Sequence, residues 1–257
     1  MNKQQIKYKI LNKVYIAKIK GFRMKSLIEL KNVSKEYKTG TQIVKAANNL
    51  NFTINKGELV VILGPSGSGK STLLNLLGGL DKPTSGEIII DNENISTFSD
   101  KELTHYRAKE IGFIFQFYNL IPNLTACENI EIVNDIVDEN INGQDILEQV
   151  GLSQHVNKFP SELSGGEQQR VSIARAIAKK PKMLLCDEPT GALDSHTGKI
   201  IIEILVNLCE SENTTVIIVT HNSEFAKVAN KVIHIKNGEV EFIETNENPQ
   251  PVDAINW

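Results

Sequence analysis

A run of five apolar residues, Leu59-Val60-Val61-Ile62-Leu63, stops at a glycine-rich stretch, Gly64-Pro65-Ser66-Gly67-Ser68-Gly69-Lys70-Ser71, and helix-forming sequence follows from Ser71 through Leu80. A strand with no polar residue has to be covered on both faces. A helix directly after it has to cross back over the sheet. Similar apolar runs recur at Ile111 to Phe115, Met183 to Cys186 and Thr215 to Val219. Together they predict an α/β chain with a parallel sheet and helices on both faces. Such sheets take ligands at the carboxyl ends of their strands. Gly64, Gln116, Asp187-Glu188 and His221 all stand at that edge, each following an apolar strand.

The remaining segments arrange themselves around this core. Leu27 to Val33 and Ala47 to Ile54 alternate apolar and polar residues, as half-exposed strands do, and predict a small antiparallel β subdomain. Ser99-Asp100-Lys101-Glu102 is a capping box opening a helix through Arg107. Residues 119–161 are polar, with helical patterning at Ala126 to Val133 and Ile146 to Val150. They read as an inserted helical subdomain, spanning about 117–163. Ser164 opens a long helix through Lys180, and Val232 to Ile235 with Glu239 to Ile243, joined by Asn237-Gly238, predict a terminal hairpin. Residues 245–257, with Pro249 and Pro251, read as a tail.

Three motifs carry chemistry. In Gly64 to Ser71 two glycines bracket four free positions before Lys-Ser. That spacing lets backbone N–H groups turn inward around phosphates, with the positive end of the next helix behind them. Lys70 adds a point charge and Ser71 a hydroxyl for Mg2+. An ordinary glycine turn explains neither the pair nor its place between strand and helix. Asp187-Glu188 alone would read as a solvated strand end. Beside a phosphate loop it reads as a carboxylate for Mg2+, acting through water, and a second that polarises an attacking water. Ser164-Gly165-Gly166-Glu167 is a capping box, and it also leaves bare N–H groups that an anion can use.

The order of these elements, with Leu163-Ser164-Gly165-Gly166-Glu167-Gln168-Gln169-Arg170 placed just before Leu184-Leu185-Cys186-Asp187-Glu188, resembles the ATP-binding subunit of an ABC transporter over roughly Leu27 to Glu244. The resemblance implies a P-loop NTPase with a RecA-like parallel core sheet, ATP and Mg2+ as cofactors, and hydrolysis of ATP to ADP and phosphate. It places Gly64 to Thr72 around the phosphates and Tyr37 against adenine. It gives Gln116 and Asp187 to Mg2+, Gln116 also to the attacking water, Glu188 to catalysis and His221 to the terminal phosphate. Ser164 to Glu167 would face the ATP of a second copy, and Asp194, in Ala192-Leu193-Asp194, would couple the two sites. A head-to-tail homodimer with two ATP molecules at its interface follows. His105, His155, His196 and His234 match nothing in the family pattern. Glu167, where the family often has Gln, resembles lipoprotein-release and macrolide- or peptide-exporter ATPases. The function implied is energising a separate membrane permease from the cytoplasmic face, for export of a lipoprotein, peptide or drug. An ABC ATPase regulating a cell-division or cell-wall membrane protein is the alternative, and a soluble protein of translation or DNA repair is a third, disfavoured by a single ATPase set with no zinc motif.

Composition sets the outer bounds. With 257 residues, 40% hydrophobic and 23% charged, the chain has the make-up of a globular protein with a large core. No apolar run approaches the ~20 residues that span a bilayer, and the N-terminus has no signal-peptide pattern, so a cytoplasmic location with membrane contact through a partner is expected. Residues 1–25 hold eight of the 28 Lys and Arg and none of the 31 Asp and Glu. Residues 1–26 therefore read as a basic, disordered extension. The acidic remainder is no nucleic-acid binder. Cys127, Cys186 and Cys209 have no metal spacing and read as reduced structural thiols.

Overall fold

The computed structural model describes residues 26–137 and 140–255. The basic extension expected over residues 1–26 lies outside them except for Ser26, which opens the first strand. Strands β1 (Ser26–Thr39) and β2 (Gln42–Asn55) pair antiparallel, with Tyr37 opposite Val44. Both are longer than the alternation at Leu27 to Val33 and Ala47 to Ile54 implied. Their added halves carry exposed Ile43 and Val44, so backbone pairing rather than a buried face extends them. β3 (Leu59–Leu63) leaves this sheet, and α1 (Lys70–Leu77) follows the glycine-rich loop. β4 (Ser85–Ile90) and β5 (Glu93–Asn94) then return to complete the sheet in the order β2-β1-β4-β5.

The second sheet holds the predicted core. It comprises β3, β6 (Ile111–Ile114), β7 (Met183–Asp187), β8 (Thr215–Thr220), β9 (Lys231–Lys236) and β10 (Glu239–Thr245) in the order β10-β9-β3-β8-β7-β6. All neighbours are parallel except the β9-β10 hairpin. Every residue of β3 is buried, and the alternation of a strand explains why none is polar. Val60 and Ile62 join a core with α1 and the antiparallel sheet. Leu59, Val61 and Leu63 face the other way, into a core with the helices that follow β6.

The remaining helices divide at β6. α2 (Asp100–Glu110) precedes β6 and starts on the expected capping box, with Ser99 N–H donating to Glu102 at 2.7 Å. After β6 come α3 (Ala126–Glu131), α4 (Asn134–Val137) and α5 (Gly143–Gln149), within the stretch read as an inserted helical subdomain. Its irregular entry is organised by Asn129, fully buried, whose side chain takes the Ile121 N–H (2.7 Å) and donates to the Leu124 carbonyl (2.9 Å). α6 (Gly165–Ile177) and α7 (Ser195–Glu212) then cover the sheet. The sequence reading did not anticipate α7, which has Asp194 as its N-cap and buries Ile201, Ile202, Leu205 and Leu208 at helical spacing. Residues 246–255 lie against the body: the Gln250 N–H donates to the Lys227 carbonyl (2.8 Å), Lys199 pairs with Asp253, and Val252 and Ile255 are buried. Cys186 and Cys209 are buried free thiols, and Cys127 is free and half-buried.

Candidate functional site

A cavity of about 880 Å³ opens where the strand ends meet the glycine-rich loop. The loop is fixed from both sides. Gly69, the N-cap of α1, has φ 102°, and a Cβ there would lie 2.1 Å from the Ala46 carbonyl oxygen, so no larger residue fits without moving backbone. The Gly238 N–H, in the β9-β10 turn, donates to the Ser68 carbonyl at 2.9 Å. Lys70 is buried, and its Nζ donates to the carbonyls of Gly64 (2.9 Å) and Pro65 (3.0 Å). That leaves a cation held across the loop, beside the first N–H groups of a helix.

Opposite the loop, Asp187 ends β7 and Glu188 follows it, and both line the same cavity with Gln116 and His221. The two carboxylates have different surroundings. Burial pushes the Asp187 carboxyl above its ordinary value, and the negative charge of Glu188 adds to this, while a hydrogen bond from Ser71 and the charge of Lys70 oppose it. Glu188 is held in the left-handed region at φ 48°. Such a conformation costs a non-glycine residue on the order of 1 kcal/mol. Its Oε2 accepts from the Thr220 hydroxyl (2.9 Å). Its Oε1 accepts from the His221 N–H (3.0 Å) and lies 2.8 Å from His221 Nδ1. The carboxylate is therefore aimed by the end of β8, two strands' polar ends acting on one another.

The structure brings Ser66, Gly67, Gly69, Lys70, Ser71, Thr72, Gln116, Asp187, Glu188 and His221 to the cavity wall, with Gly64, Pro65 and Ser68 in the same loop. Tyr37 is beside the cavity rather than in its wall. It shares a sheet face with its cross-strand partner Val44, which does line it, and its hydroxyl donates to Asp81 Oδ2 at 2.7 Å. Lys35 lies 5.0 Å above the ring and also pairs with Asp81. Asp81 and Thr220 escaped the sequence reading, since each acts only by orienting another side chain.

Ser164, Gly165, Gly166 and Glu167 do not line this cavity, nor does Asp194. Ser164 caps α6 in a full capping box with Glu167. Gly166 packs so closely on α7 that a Cβ would lie 2.0 Å from Thr197 Cγ2. Asp194 caps α7, accepting from the Thr197 N–H (3.0 Å) and hydroxyl (2.7 Å). The start of α6 and the start of α7 therefore touch through Thr197.

Phosphate loop, paired carboxylates at the end of a second parallel strand and a Ser-Gly-Gly helix start on one sheet define an ABC-type ATPase. The family model for ABC transporters matches residues 47–191, and the chain belongs to that family, as an ATP-binding protein. It is 47% identical over 224 residues to an uncharacterized ABC transporter ATP-binding protein, MJ0796, of Methanocaldococcus jannaschii, covering 84% of this chain and 95% of that one. The solved dimer of MJ0796, in a post-hydrolysis state bound to ADP and Pi, superposes with a TM-score of 0.79 at 46% identity, over 85% of this chain and 98% of that one. A putative ABC transporter ATP-binding protein of Mycoplasma pneumoniae is 42% identical over 90% of this chain, and the macrolide export ATP-binding/permease protein MacB 2 of Yersinia pestis 44% identical over 84%. This chain spans 50% of the length of the first and 32% of the second.

Proposed function

We propose that this chain energises a separate membrane permease, for export of a lipoprotein, peptide or drug, by closing and opening a homodimer around two ATP molecules. The observation that carries the reading is the split between the two halves of the machinery. Lys70, Ser71, Asp187, Glu188 and His221 share one cavity, while Ser164 stands outside it, exposed at the start of α6. Such a helix start takes an anion from elsewhere, and a second copy arranged head to tail supplies one. Relatedness to a macrolide export ATP-binding/permease protein favours export. Among the described residues no helix is long and apolar enough to cross a membrane, so contact with the cytoplasmic face of the membrane would run through the permease.

The residues fit Mg2+ as well as ATP. Asp187, the Ser71 hydroxyl and Gln116 put hard oxygen donors on one wall, the set Mg2+ takes together with phosphate and water. Burial already raises the Asp187 carboxyl, a charge a cation offsets. When bound, Mg2+ would neutralise charge on the phosphates. Lys70 and the loop N–H groups hold the triphosphate. Glu188 takes up the proton side of the attacking water, fixed for that task by Thr220 and His221. Tyr37, steadied by Asp81, would stack on adenine from beside the cavity. Loss of the terminal phosphate removes the bridge to Ser164 of the other copy, and the dimer opens.

The test is to purify a tagged Glu188→Gln chain with ATP and Mg2+ in mild detergent and identify what accompanies it by mass spectrometry. A multi-span permease supports the proposal. A membrane protein attached to cell-wall enzymes, with no transport path, establishes the regulatory alternative instead. Ribosomal or repair proteins without any permease overturn both.

A further inference from the structure

Glu167 uses its two carboxylate oxygens for different partners. Oε2 accepts from the Ser164 N–H at 2.7 Å and from the Ser164 hydroxyl at 2.9 Å. Oε1 lies 3.0 Å from His155 Nε2. His155 belongs to the loop after α5, which is tied to the start of α3: the Ala126 N–H donates to the Lys158 carbonyl (2.8 Å) and the Cys127 N–H to the Val156 carbonyl (3.1 Å). The ring is mostly covered, with 22% of its side chain exposed, and its Nδ1 is buried with no hydrogen-bonding partner among the described residues. A buried ring nitrogen without a partner is a cost. The ring is seated for its other nitrogen, the one on Glu167.

A carboxylate at a helix start satisfies the free N–H groups there and suits the dipole. It also puts negative charge beside the place where a phosphate would dock, and like charges repel. Two cationic or proton-donating side chains face Glu167, His155 and Lys158. Chiefly the Ser164 N–H, and after it the Ser164 hydroxyl, His155 and Lys158, hold the Glu167 carboxyl below its ordinary value against the effect of burial.

We propose that His155 is a positioning residue for the phosphate-docking start of α6: it holds Glu167 so that Ser164 stays aimed, and it draws the carboxylate's charge away from an incoming triphosphate. This rests on the reading that Ser164 meets the terminal phosphate of ATP bound to the other copy. It also links the helical insert to the docking point, because His155 and the start of α3 belong to one bonded loop.

The experiment follows ATP-dependent dimer closure of the full chain by light scattering, in the Glu188→Gln background with Mg2+. His155→Ala should raise the ATP needed for half-closure about tenfold, the effect of one lost hydrogen bond to a charged group. His155→Gln, which still offers an N–H donor, should recover most of it. In Glu167→Gln the cap is neutral, so adding His155→Ala should change little. ATP affinity of dilute monomer should be the same in both His155 variants, and melting curves identify any that fail to fold. His155→Ala closing like its parent, or acting undiminished on top of Glu167→Gln, overturns the proposal. Ser164→Ala serves as the second readout. If it closes normally, the docking reading itself fails. If it does not close while His155→Ala does, His155 alone is refuted.

Discussion

Replacing Glu188 with Gln removes charge from the proposed base and little else. Glutamine keeps the length of the side chain and one acceptor oxygen. With that oxygen toward His221, the amide nitrogen faces Thr220 Oγ1, which already accepts from the Asn222 N–H at 3.1 Å. Thr220 can accept a second hydrogen, but its own hydroxyl then loses its acceptor. One such loss costs about 1 kcal/mol, which in a chain this size lowers Tm by roughly 2–4 °C. The left-handed φ of 48° is equally unfavourable for both residues, so no strain is released. Catalysis should suffer far more, since a positioned base contributes about 10²–10⁴-fold. We expect phosphate release at saturating ATP to fall by at least about 10²-fold. ATP binding to the monomer should stay near that of the parent, and closed dimer should accumulate by size-exclusion chromatography. Hydrolysis within a few-fold of the parent would show that Glu188 is not the base. A large drop in Tm would show that the carboxylate holds the β7 and β8 ends together, contrary to the hydrogen-bond count.

Lys70→Ala should weaken ATP binding about tenfold or more, the loss of a charge-assisted contact to phosphate, measured by titration with a fluorescent ATP analogue. Asp187→Asn should melt higher than the parent at neutral pH without nucleotide. The folded-state value of Asp187 is raised above its ordinary 3.8, so its contribution to stability is present below that value and lost as pH rises through the folded one; the two melting curves should converge in acid, and equal Tm values across the range would refute the burial argument. Gly69→Ala forces a Cβ to within 2.1 Å of the Ala46 carbonyl oxygen at φ 102°; a loss of about 2 kcal/mol or more by denaturant unfolding is expected. Leu205→Ala, fully buried on α7, should cost about 2–5 kcal/mol while leaving ATP affinity intact.

What was legible in the sequence is what one segment dictates to itself. The parallel strands are apolar throughout because each side of β3 feeds a different core, and the loop and carboxylates read directly from their places at strand ends. The capping boxes at Ser99 and Ser164 were equally local, with both reciprocal hydrogen bonds present. α7 was legible in principle: Asp194 caps it, and Ile201, Leu205 and Leu208 mark its face. Asp194, which the resemblance assigns to coupling between two sites, is in the structure the cap of that helix. Other features need distant partners. The grip of Thr220 on Glu188 joins residues 32 apart in the chain, and Asp81 reaches Tyr37 across 44. No window of sequence contains such pairs. The docking of residues 246–255 escaped for the same reason, since Pro249 and Pro251 signal a break but not what lies beneath.

The standing of Ser164 outside the cavity that holds Lys70 has a consequence for mixtures of damaged copies. In a head-to-tail pair each working centre draws its loop from one polypeptide and its Ser-Gly-Gly element from the other. A Lys70→Ala chain and a Ser164→Ala chain, each inert with its own kind, would on pairing concentrate both defects in one centre and leave the other whole. Co-expression should therefore restore activity that neither allele has alone, whereas placing both changes on a single polypeptide beside a normal one would injure both centres. The arithmetic of alleles thus becomes a reading of the subunit arrangement.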